Sequence, residues 1–296
     1  MKQPIFTGSC AAVVTPFTPG GEIDYPALLR LLDFQMENGT DAIVVCGTTG
    51  EAASMRYEER MRTIEAVVRH IGGKIPVIAG TGSNNTESAI TLSQDAIQAG
   101  VDALLVVTPF YNKATQKGLV RHYTAIADAV EKPVILYHVP SRTGVKCTAE
   151  TYAALAQHPN IVGVKEAGGD LSLVQKTREL CPEDFTIWSG NDDETAPIML
   201  FGGKGVISVT ANVMPKEMKD LTAACLRGDF TTAGKMQLKL RKLCEALFWE
   251  VNPIPVKTAL AMMGYCQEVF RLPMCEMEPE NRERLAAVLR EYRLLT

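Results

Sequence analysis

The feature that most constrains the fold is an alternation of short apolar runs with amphipathic stretches, repeated along most of the chain. From Gly8 to about Ser208, a run rich in β-branched residues is followed by a polar or glycine-containing loop and then by residues with helical spacing. This alternation predicts parallel strands, each followed by a helix. The predicted strands cover residues 9–14, 42–46, 76–79, 103–107, 134–137, 161–164, 185–188 and 205–209.

The helices between these strands are predicted from apolar periodicity and from their ends. Asp24, Asn85 and Thr148 are suitable N-caps for three of them. An open doubly wound sheet is one arrangement of such units, but eight units with near-even spacing favour closure into an α/β (β/α)8 TIM barrel. The predicted helices cover residues 25–37, 57–70, 86–99, 117–129, 149–157, 171–180 and 194–201.

After Pro215 the pattern changes to helices alone, at residues 216–227, 230–249, 256–263 and 279–292. The first of these completes the barrel, and the others form a C-terminal helical appendix. We therefore expect a catalytic barrel over residues 1–228 and a C-terminal helical region, packed on the barrel, over residues 229–296. The sequence leaves open whether the appendix caps the barrel or serves an oligomer contact.

Composition excludes several classes of protein. A net charge of −4 disfavours a protein that binds nucleic acid or anionic lipid through its overall charge. The same charge fits a small-molecule substrate better. No stretch approaches the roughly 18 apolar residues of a membrane span, so we expect a cytoplasmic protein. Eight cysteines without a C-x-x-C pair predict reduced thiols, and four histidines without paired spacing predict no metal. No cofactor is expected.

A lysine directly follows the sixth predicted strand, where the active site of a barrel lies. Lys165 ends an apolar run that the barrel should bury. Desolvation disfavours an ammonium, so a lysine in such a place supplies free amine that can attack a carbonyl. The alternative is a lysine at the rim of the barrel that pairs with Glu166.

Other polar residues follow neighbouring strands. Tyr137 could transfer protons at Lys165, and Tyr111 could relay them through Thr48. Thr48 and Thr49, between glycines, suit a keto-acid carboxylate, and the guanidinium of Arg142 suits a second carboxylate. Tyr137 could instead pack in the core, and Tyr111 could be an ordinary surface or interface tyrosine. Thr48 and Thr49 could lie in a plain strand-to-helix turn, and Arg142 could form a salt bridge. Taken together, the residues favour carbon–carbon bond chemistry on a keto acid.

Segments around these residues resemble the dihydrodipicolinate synthase and N-acetylneuraminate lyase family of pyruvate aldolases. The resemblance spans nearly the whole chain, and residues 252–257 and 271–274 of the appendix look like its synthase branch. The other matching segments are residues 47–51, 137–143, 163–166 and 205–212.

The resemblance implies a class I aldolase in which Lys165 forms a Schiff base with pyruvate. The resulting enamine would attack aspartate-4-semialdehyde and give 4-hydroxy-tetrahydrodipicolinate in lysine and diaminopimelate biosynthesis. It also implies a homotetramer, built as a dimer of dimers, in which Tyr111 reaches a neighbouring subunit. The implied catalytic residues are Lys165, Tyr137, Thr48 and Tyr111, and the implied substrate-binding residues are Thr49, Arg142, Gly190 and Ile207.

Arg142 favours the synthases, because the sugar-acid lyases of the family bind aldehydes without a carboxylate at that place. The alternatives are another pyruvate-dependent aldolase, acting on a sugar acid or a hydroxyproline-derived keto acid, and a barrel that has lost catalysis and serves as a binding protein. His138 stands where many synthases have asparagine, and this change puts little in doubt.

Some synthases of the family bind lysine between subunits as an inhibitor. The corresponding positions here look like Tyr57, Arg60, Ser88 and Phe110, with Asn84 retained. Ser88 would deprive a cationic ligand of an anionic partner, so we expect weak or absent inhibition by lysine.

Overall fold

The computed structural model describes residues 2–295 and contains a closed barrel of eight parallel strands in chain order. The barrel predicted from the alternation is therefore confirmed, and the open sheet is excluded. The strands are β1 Gly8–Ala12, β2 Ala42–Val45, β3 Val77–Gly80, β4 Ala103–Val107, β5 Val134–His138, β6 Ile161–Glu166, β7 Thr186–Ser189 and β8 Gly205–Ser208.

Closure of the barrel depends on the contact between β1 and β8, which pair in parallel from Gly8 and Gly205 onward. A Cβ atom on Gly205 would lie 2.0 Å from the carbonyl oxygen of Gly8. Only glycine lets the two backbones approach this closely.

Helices surround the barrel, and their starts follow the predicted caps. The side chains of Asp24, Asn85 and Thr148 each accept a hydrogen bond from an amide in the first turn. The helices are α1 Tyr25–Glu37, α2 Tyr57–Ile71, α3 Thr86–Gln98, α4 Gln116–Asp128, α5 Pro140–Thr143, α6 Ala149–Leu155, α7 Leu171–Leu180, α8 Thr195–Leu200, α9 Pro215–Leu226, α10 Phe230–Ala246, α11 Ile254–Met262 and α12 Pro279–Glu291.

Two local predictions are corrected. The sixth strand does not end at Val164, because Lys165 and Glu166 continue the pairing with β5. Residues 140–143, which lie outside the predicted strands and helices, form the short helix α5, which begins at a proline and ends at Gly144 in the left-handed region (φ 70°).

Apolar side chains fill the barrel interior and the layer between strands and helices. Near the amino-terminal end of the barrel, the ring of Phe6 stacks on Trp188 with centroids 5.2 Å apart. The indole Nε1 of Trp188 donates to the Phe6 carbonyl at 3.2 Å. The segment before β1 therefore closes that end, and the opposite end is left for chemistry.

The C-terminal helices contact the barrel at several places. Helix α10 packs against α8 and α9, and α11 packs against α12. Lys257, on α11, forms a buried ion pair with Glu51 in the loop after β2. The division at residues 228 and 229 stays a prediction.

Within residues 2–295, no helix is long and apolar enough to cross a membrane. Over the same residues, no group of three or more His, Cys, Asp or Glu side chains is arranged to hold a metal ion. All eight cysteines are free thiols, and six of them are buried.

Candidate active site

Lys165 and Tyr137 lie side by side at the carboxyl ends of β6 and β5. They are register partners in the parallel ladder, and the Lys165 Nζ atom lies 4.4 Å from the centroid of the Tyr137 ring. Only 5% of Lys165 and 8% of Tyr137 is exposed. An amine and a phenol are thus held side by side with little exposure to water. Their positions at the ends of neighbouring predicted strands had indicated this proximity.

Glu166 does not pair with Lys165, which removes the alternative of a rim ion pair. Its Oε1 atom lies 2.7 Å from His138 Nδ1 and accepts from the Gly168 amide at 2.8 Å. The hydroxyl of Tyr152 donates to Oε2 at 3.0 Å. Side chains alternate across a strand, so Glu166 and His138 lie on the outer face while Lys165 and Tyr137 face inward.

His138 has a defined protonation pattern in this buried network. The Cys147 amide donates to its Nε2 atom at 3.1 Å, so the ring proton lies on Nδ1 and is donated to Glu166. Burial raises the pKa of Tyr152 well above its usual value, so this phenol also stays a donor. Both donors fix the strand ends that carry Lys165 and Tyr137.

Gly190, directly after β7, provides space beside the lysine. A Cβ atom at this position would lie 3.1 Å from Lys165 Cε and 2.7 Å from Ala167 Cβ. Ile207 is fully buried in β8 and belongs to the same apolar cluster as Tyr137. Gly190 is therefore placed beside the amine, and Ile207 in the apolar interior of the barrel.

The loop after β2 and the helix α5 are joined through one asparagine of the C-terminal region. Asn252 donates from Nδ2 to the hydroxyl of Thr49 at 3.0 Å, and its carbonyl accepts from Arg142 Nη2 at 3.0 Å. Thr49 is buried, whereas Arg142 is exposed. Asn252 was not predicted as a site residue, and its only signal was the resemblance of residues 252–257 to the synthases.

Two adjoining cavities open among these residues. Lys165 and Thr49 line the larger one, of about 730 Å³. Thr48 lines the smaller one, of about 430 Å³. Tyr137 and Arg142 line both, so the two cavities adjoin at these side chains.

Tyr111 is the predicted residue that the single chain does not bring to the site. It is 89% exposed and has a left-handed backbone (φ 73°). It lines neither cavity. A role in proton transfer at Lys165 therefore requires a second copy of the chain.

The arrangement suits imine chemistry. A buried primary amine can attack a ketone, and a phenol beside it can exchange protons with the resulting carbinolamine. The hydroxyl of Thr49 and the guanidinium of Arg142 offer donors for two carboxylates at the same cavity.

The chain is similar to known proteins over nearly its whole length. The family model of the dihydrodipicolinate synthetase family matches residues 5–292. The chain belongs to this family. The family predicted from the sequence motifs is confirmed.

Two relatives with the same name match nearly the whole chain. The 4-hydroxy-tetrahydrodipicolinate synthase of Geobacter sulfurreducens is 52% identical over 291 residues, which are 98% of this chain and 100% of the relative. The synthase of Thermoanaerobacter sp. (strain X514) is 51% identical over 294 residues, or 99% of each chain. The expected kind of enzyme, a synthase of this name rather than a sugar-acid lyase, is confirmed with the family.

Solved structures of the family superpose closely on the chain. The dihydrodipicolinate synthase of Aquifex aeolicus has a TM-score of 0.96 at 47% identity, with 98% of this chain and 99% of that chain covered. The enzyme of Thermotoga maritima has a TM-score of 0.97 at 42% identity, with 99% and 100% covered. The barrel and the C-terminal helices are thus those of the family.

Proposed function

We propose that the chain joins pyruvate to aspartate-4-semialdehyde through a Schiff base on Lys165. The observation that carries this proposal is the Lys165 amine, buried at the end of β6 and 4.4 Å from the Tyr137 ring. Among the described residues that line the larger cavity, Lys165 alone carries a primary amine that a keto acid could meet. Membership of the family supports the choice of both substrates.

The reaction follows from the chemistry of an amine and a keto acid. Lys165 adds to the keto carbon of pyruvate, and the carbinolamine loses water to give an imine. Loss of a methyl proton forms an enamine, which attacks the aldehyde carbon of the second substrate. The alkoxide formed at that carbon takes up a proton from the ammonium of the same substrate, and the amine so freed adds to the imine carbon. The ring closes, and Lys165 leaves as free amine.

Each predicted residue has a role in these steps. Tyr137 protonates the carbinolamine oxygen and recovers the proton through Thr48 and through Tyr111 of a second copy of the chain. Thr49 binds the pyruvate carboxylate. Gly190 leaves room for the imine, and Ile207 forms part of the apolar wall. The hydrogen bond from Asn252 to Thr49 orients the hydroxyl.

Arg142 binds the carboxylate of the semialdehyde. Its position on α5 supports this role, because Nη2 is already oriented by the Asn252 carbonyl while the side chain stays exposed at the cavity. A planar guanidinium can then bind a carboxylate with its remaining N–H groups.

The test of this assignment compares acceptor aldehydes at fixed pyruvate. We expect a strong preference for aspartate-4-semialdehyde over N-acetylmannosamine and a sugar-derived aldehyde. The preference should be lost in Arg142→Ala and kept in Arg62→Ala, a change of an exposed arginine on α2. Turnover of the sugar aldehydes by the wild type would instead support a lyase of the same barrel.

We also propose a cytoplasmic homotetramer. Exposed Tyr111 and the half-exposed Phe110 beside it favour burial against a second copy. Analytical ultracentrifugation measures the assembly. Tyr111→Phe should lower kcat and leave the tetramer intact. A fully active monomer would contradict the proposed relay.

Inhibition by lysine is proposed to be weak. Arg60 lines the smaller cavity, with Nη2 donating to the Gly80 carbonyl at 2.7 Å, and its positive charge would repel a cationic ligand. Ser88, close by on α3, offers no charge to compensate. Activity measured against increasing lysine tests this, and potent inhibition at low lysine would contradict it.

A further inference from the structure

The larger cavity is lined by an acidic residue to which the proposed function assigns no role. Three charged residues line it: Lys165, Arg142 and Glu250. Lys165 reacts with pyruvate, and Arg142 binds the carboxylate of the acceptor. Glu250 belongs to the C-terminal region and is half-buried at the same cavity.

The acceptor brings a charge that needs such a group. Aspartate-4-semialdehyde is an amino acid, so its carboxylate and its ammonium are bound to one carbon atom. A cavity that takes up this substrate removes water from both charges, and an ammonium left without a partner would be costly. The partner must therefore lie next to the group that binds the carboxylate.

The backbone of Glu250 satisfies this condition of distance. It precedes Asn252 by two residues, and the carbonyl of Asn252 accepts a hydrogen bond from Arg142 Nη2 at 3.0 Å. Two residues of extended chain span about 7 Å at most. The backbone of Glu250 is thus tied to the guanidinium that binds the neighbouring carboxylate.

The hydrogen bonds of Glu250 leave one oxygen available. The amide of Glu278 and the side chain of Asn281 both donate to Oε1, at 3.1 and 2.8 Å. Within residues 2–295, no cationic side chain lies within ion-pair distance of Glu250. The first turn of α12 therefore orients the carboxylate without neutralising it.

Neutral groups at the cavity are less suited to an ammonium. Ser141 and Asn191 line it, but the Asn191 amide already donates to Glu194 at 2.7 Å. A hydrogen bond between charged groups is roughly twice as strong as one between neutral groups. Glu250 is thus the best partner that the lining offers.

We propose that Glu250 binds the α-ammonium of the acceptor and so selects an amino-acid aldehyde over aldehydes without that charge. The proposal rests on the proposed function, because it takes the orientation of the acceptor from Arg142. Glu250 is a specificity-determining residue in this account, and it has no part in forming the Schiff base.

The experiment compares two aldehydes that differ only in the ammonium. For Glu250→Gln, kcat/KM for aspartate-4-semialdehyde should fall at least tenfold, mainly through KM. The competition constant of succinic semialdehyde, which has the same carbon skeleton without the amine, should change less than twofold. Glu250→Asp, which keeps the charge, should retain more activity than Glu250→Gln.

Glu245→Gln is the matched control, because it removes an exposed carboxylate on α10 that lines neither cavity. It should leave the ratio between the two aldehydes near that of the wild type. Equal losses for both aldehydes in Glu250→Gln, or no loss for either, would overturn the proposal.

Trapping with pyruvate and borohydride separates this proposal from the proposed function. Glu250→Gln should form the pyruvate adduct as the wild type does. An adduct in both proteins together with unchanged selectivity refutes the role of Glu250 alone. No adduct in the wild type refutes the function itself.

Discussion

At Gly190, the absence of a side chain decides the space that Lys165 has for its reaction. A Cβ atom there would be 2.7 Å from the Ala167 side chain and 3.1 Å from Lys165 Cε. The Gly190 amide also donates to the Glu166 carbonyl at 2.6 Å, so the backbone has little freedom to retreat. The new methyl group would therefore press on the lysine.

We expect Gly190→Ala to slow Schiff-base formation at least tenfold, because the lysine must leave its rotamer to accommodate the methyl group. The rate of borohydride trapping with pyruvate measures this. Gly234→Ala is the control, since a Cβ atom there meets nothing within 4 Å and lies inside α10. That change should keep the rate and stabilise the helix by about 0.5–1 kcal/mol. Equal rates in both variants would contradict the steric account.

The sequence predicted those site residues that end a strand. Lys165 and Tyr137 were identified because a charged or polar side chain after an apolar run is unusual, and strand ends meet at one face of a barrel. Asn252 and Glu250 lie outside the strand pattern, between two helices of the C-terminal region. Periodicity gives no signal for such residues, and only the folded chain brings them to Arg142.

At the scale of elements, α11 fixes the loop after β2. The Lys257 amine lies 2.6 Å from Glu51 Oε1 and 3.9 Å from the centre of the Phe17 ring. Both side chains of the ion pair are essentially inaccessible to solvent, and burial lowers the pKa of Lys257. Glu51 has a left-handed backbone (φ 53°), so this pair also maintains the turn that presents Thr48 and Thr49.

Lys257→Met should lower the free energy of unfolding by about 3–5 kcal/mol, because it leaves the Glu51 carboxylate buried without its ion-pair partner. Chemical denaturation measures this loss. Lys216→Met, which removes an exposed ion pair with Asp220, should cost about 0–1 kcal/mol. The double variant Glu51→Gln/Lys257→Met should lose less stability than Lys257→Met. Equal losses in Lys257→Met and Lys216→Met would contradict this account, because burial of the ion pair would then make no difference to the free energy of unfolding.

Element boundaries could be predicted only where local chemistry sets them. The capped helices began where Asp24, Asn85 and Thr148 indicated. The end of β6 was placed too early, because Glu166 is a charged residue and charge usually marks a loop. Its burial depends on donors from β5 and α6, His138 and Tyr152, which are distant in sequence.

At the scale of the whole molecule, a second ion pair joins the C-terminal region to the barrel helices. Arg271 donates to both oxygens of Glu59 on α2, at 2.8 and 2.7 Å. These hydrogen bonds lower the pKa of Glu59 from 4.5 to about 2. Because the folded chain holds the ionised form, this stability is present above pH 4.5 and is lost as the pH falls toward 2.

The free energy of unfolding of the wild type should therefore fall more steeply between pH 4.5 and 2 than that of Glu59→Gln. Denaturation at a series of pH values measures the two slopes. Glu58→Gln, at an exposed neighbour on the same helix, should keep the wild-type slope. Parallel curves for the wild type and Glu59→Gln would show that the ion pair of Arg271 and Glu59 does not cause the fall in stability.

The overall barrel was predictable because eight repeats of one unit leave few arrangements. The tetramer stays a prediction, because it depends on a surface that a second copy must cover. Tyr111 illustrates the limit: its side chain lies outside both cavities of the single chain, and its proposed role depends on assembly.

The most direct test of the account is to locate the pyruvate adduct after borohydride reduction, by mass spectrometry of peptides. The account predicts a single reduced adduct at Lys165, absent from Lys165→Ala. Lys257, the other buried lysine, should stay unmodified because Glu51 holds its amine. An adduct at another lysine, or its persistence in Lys165→Ala, would contradict the central claim.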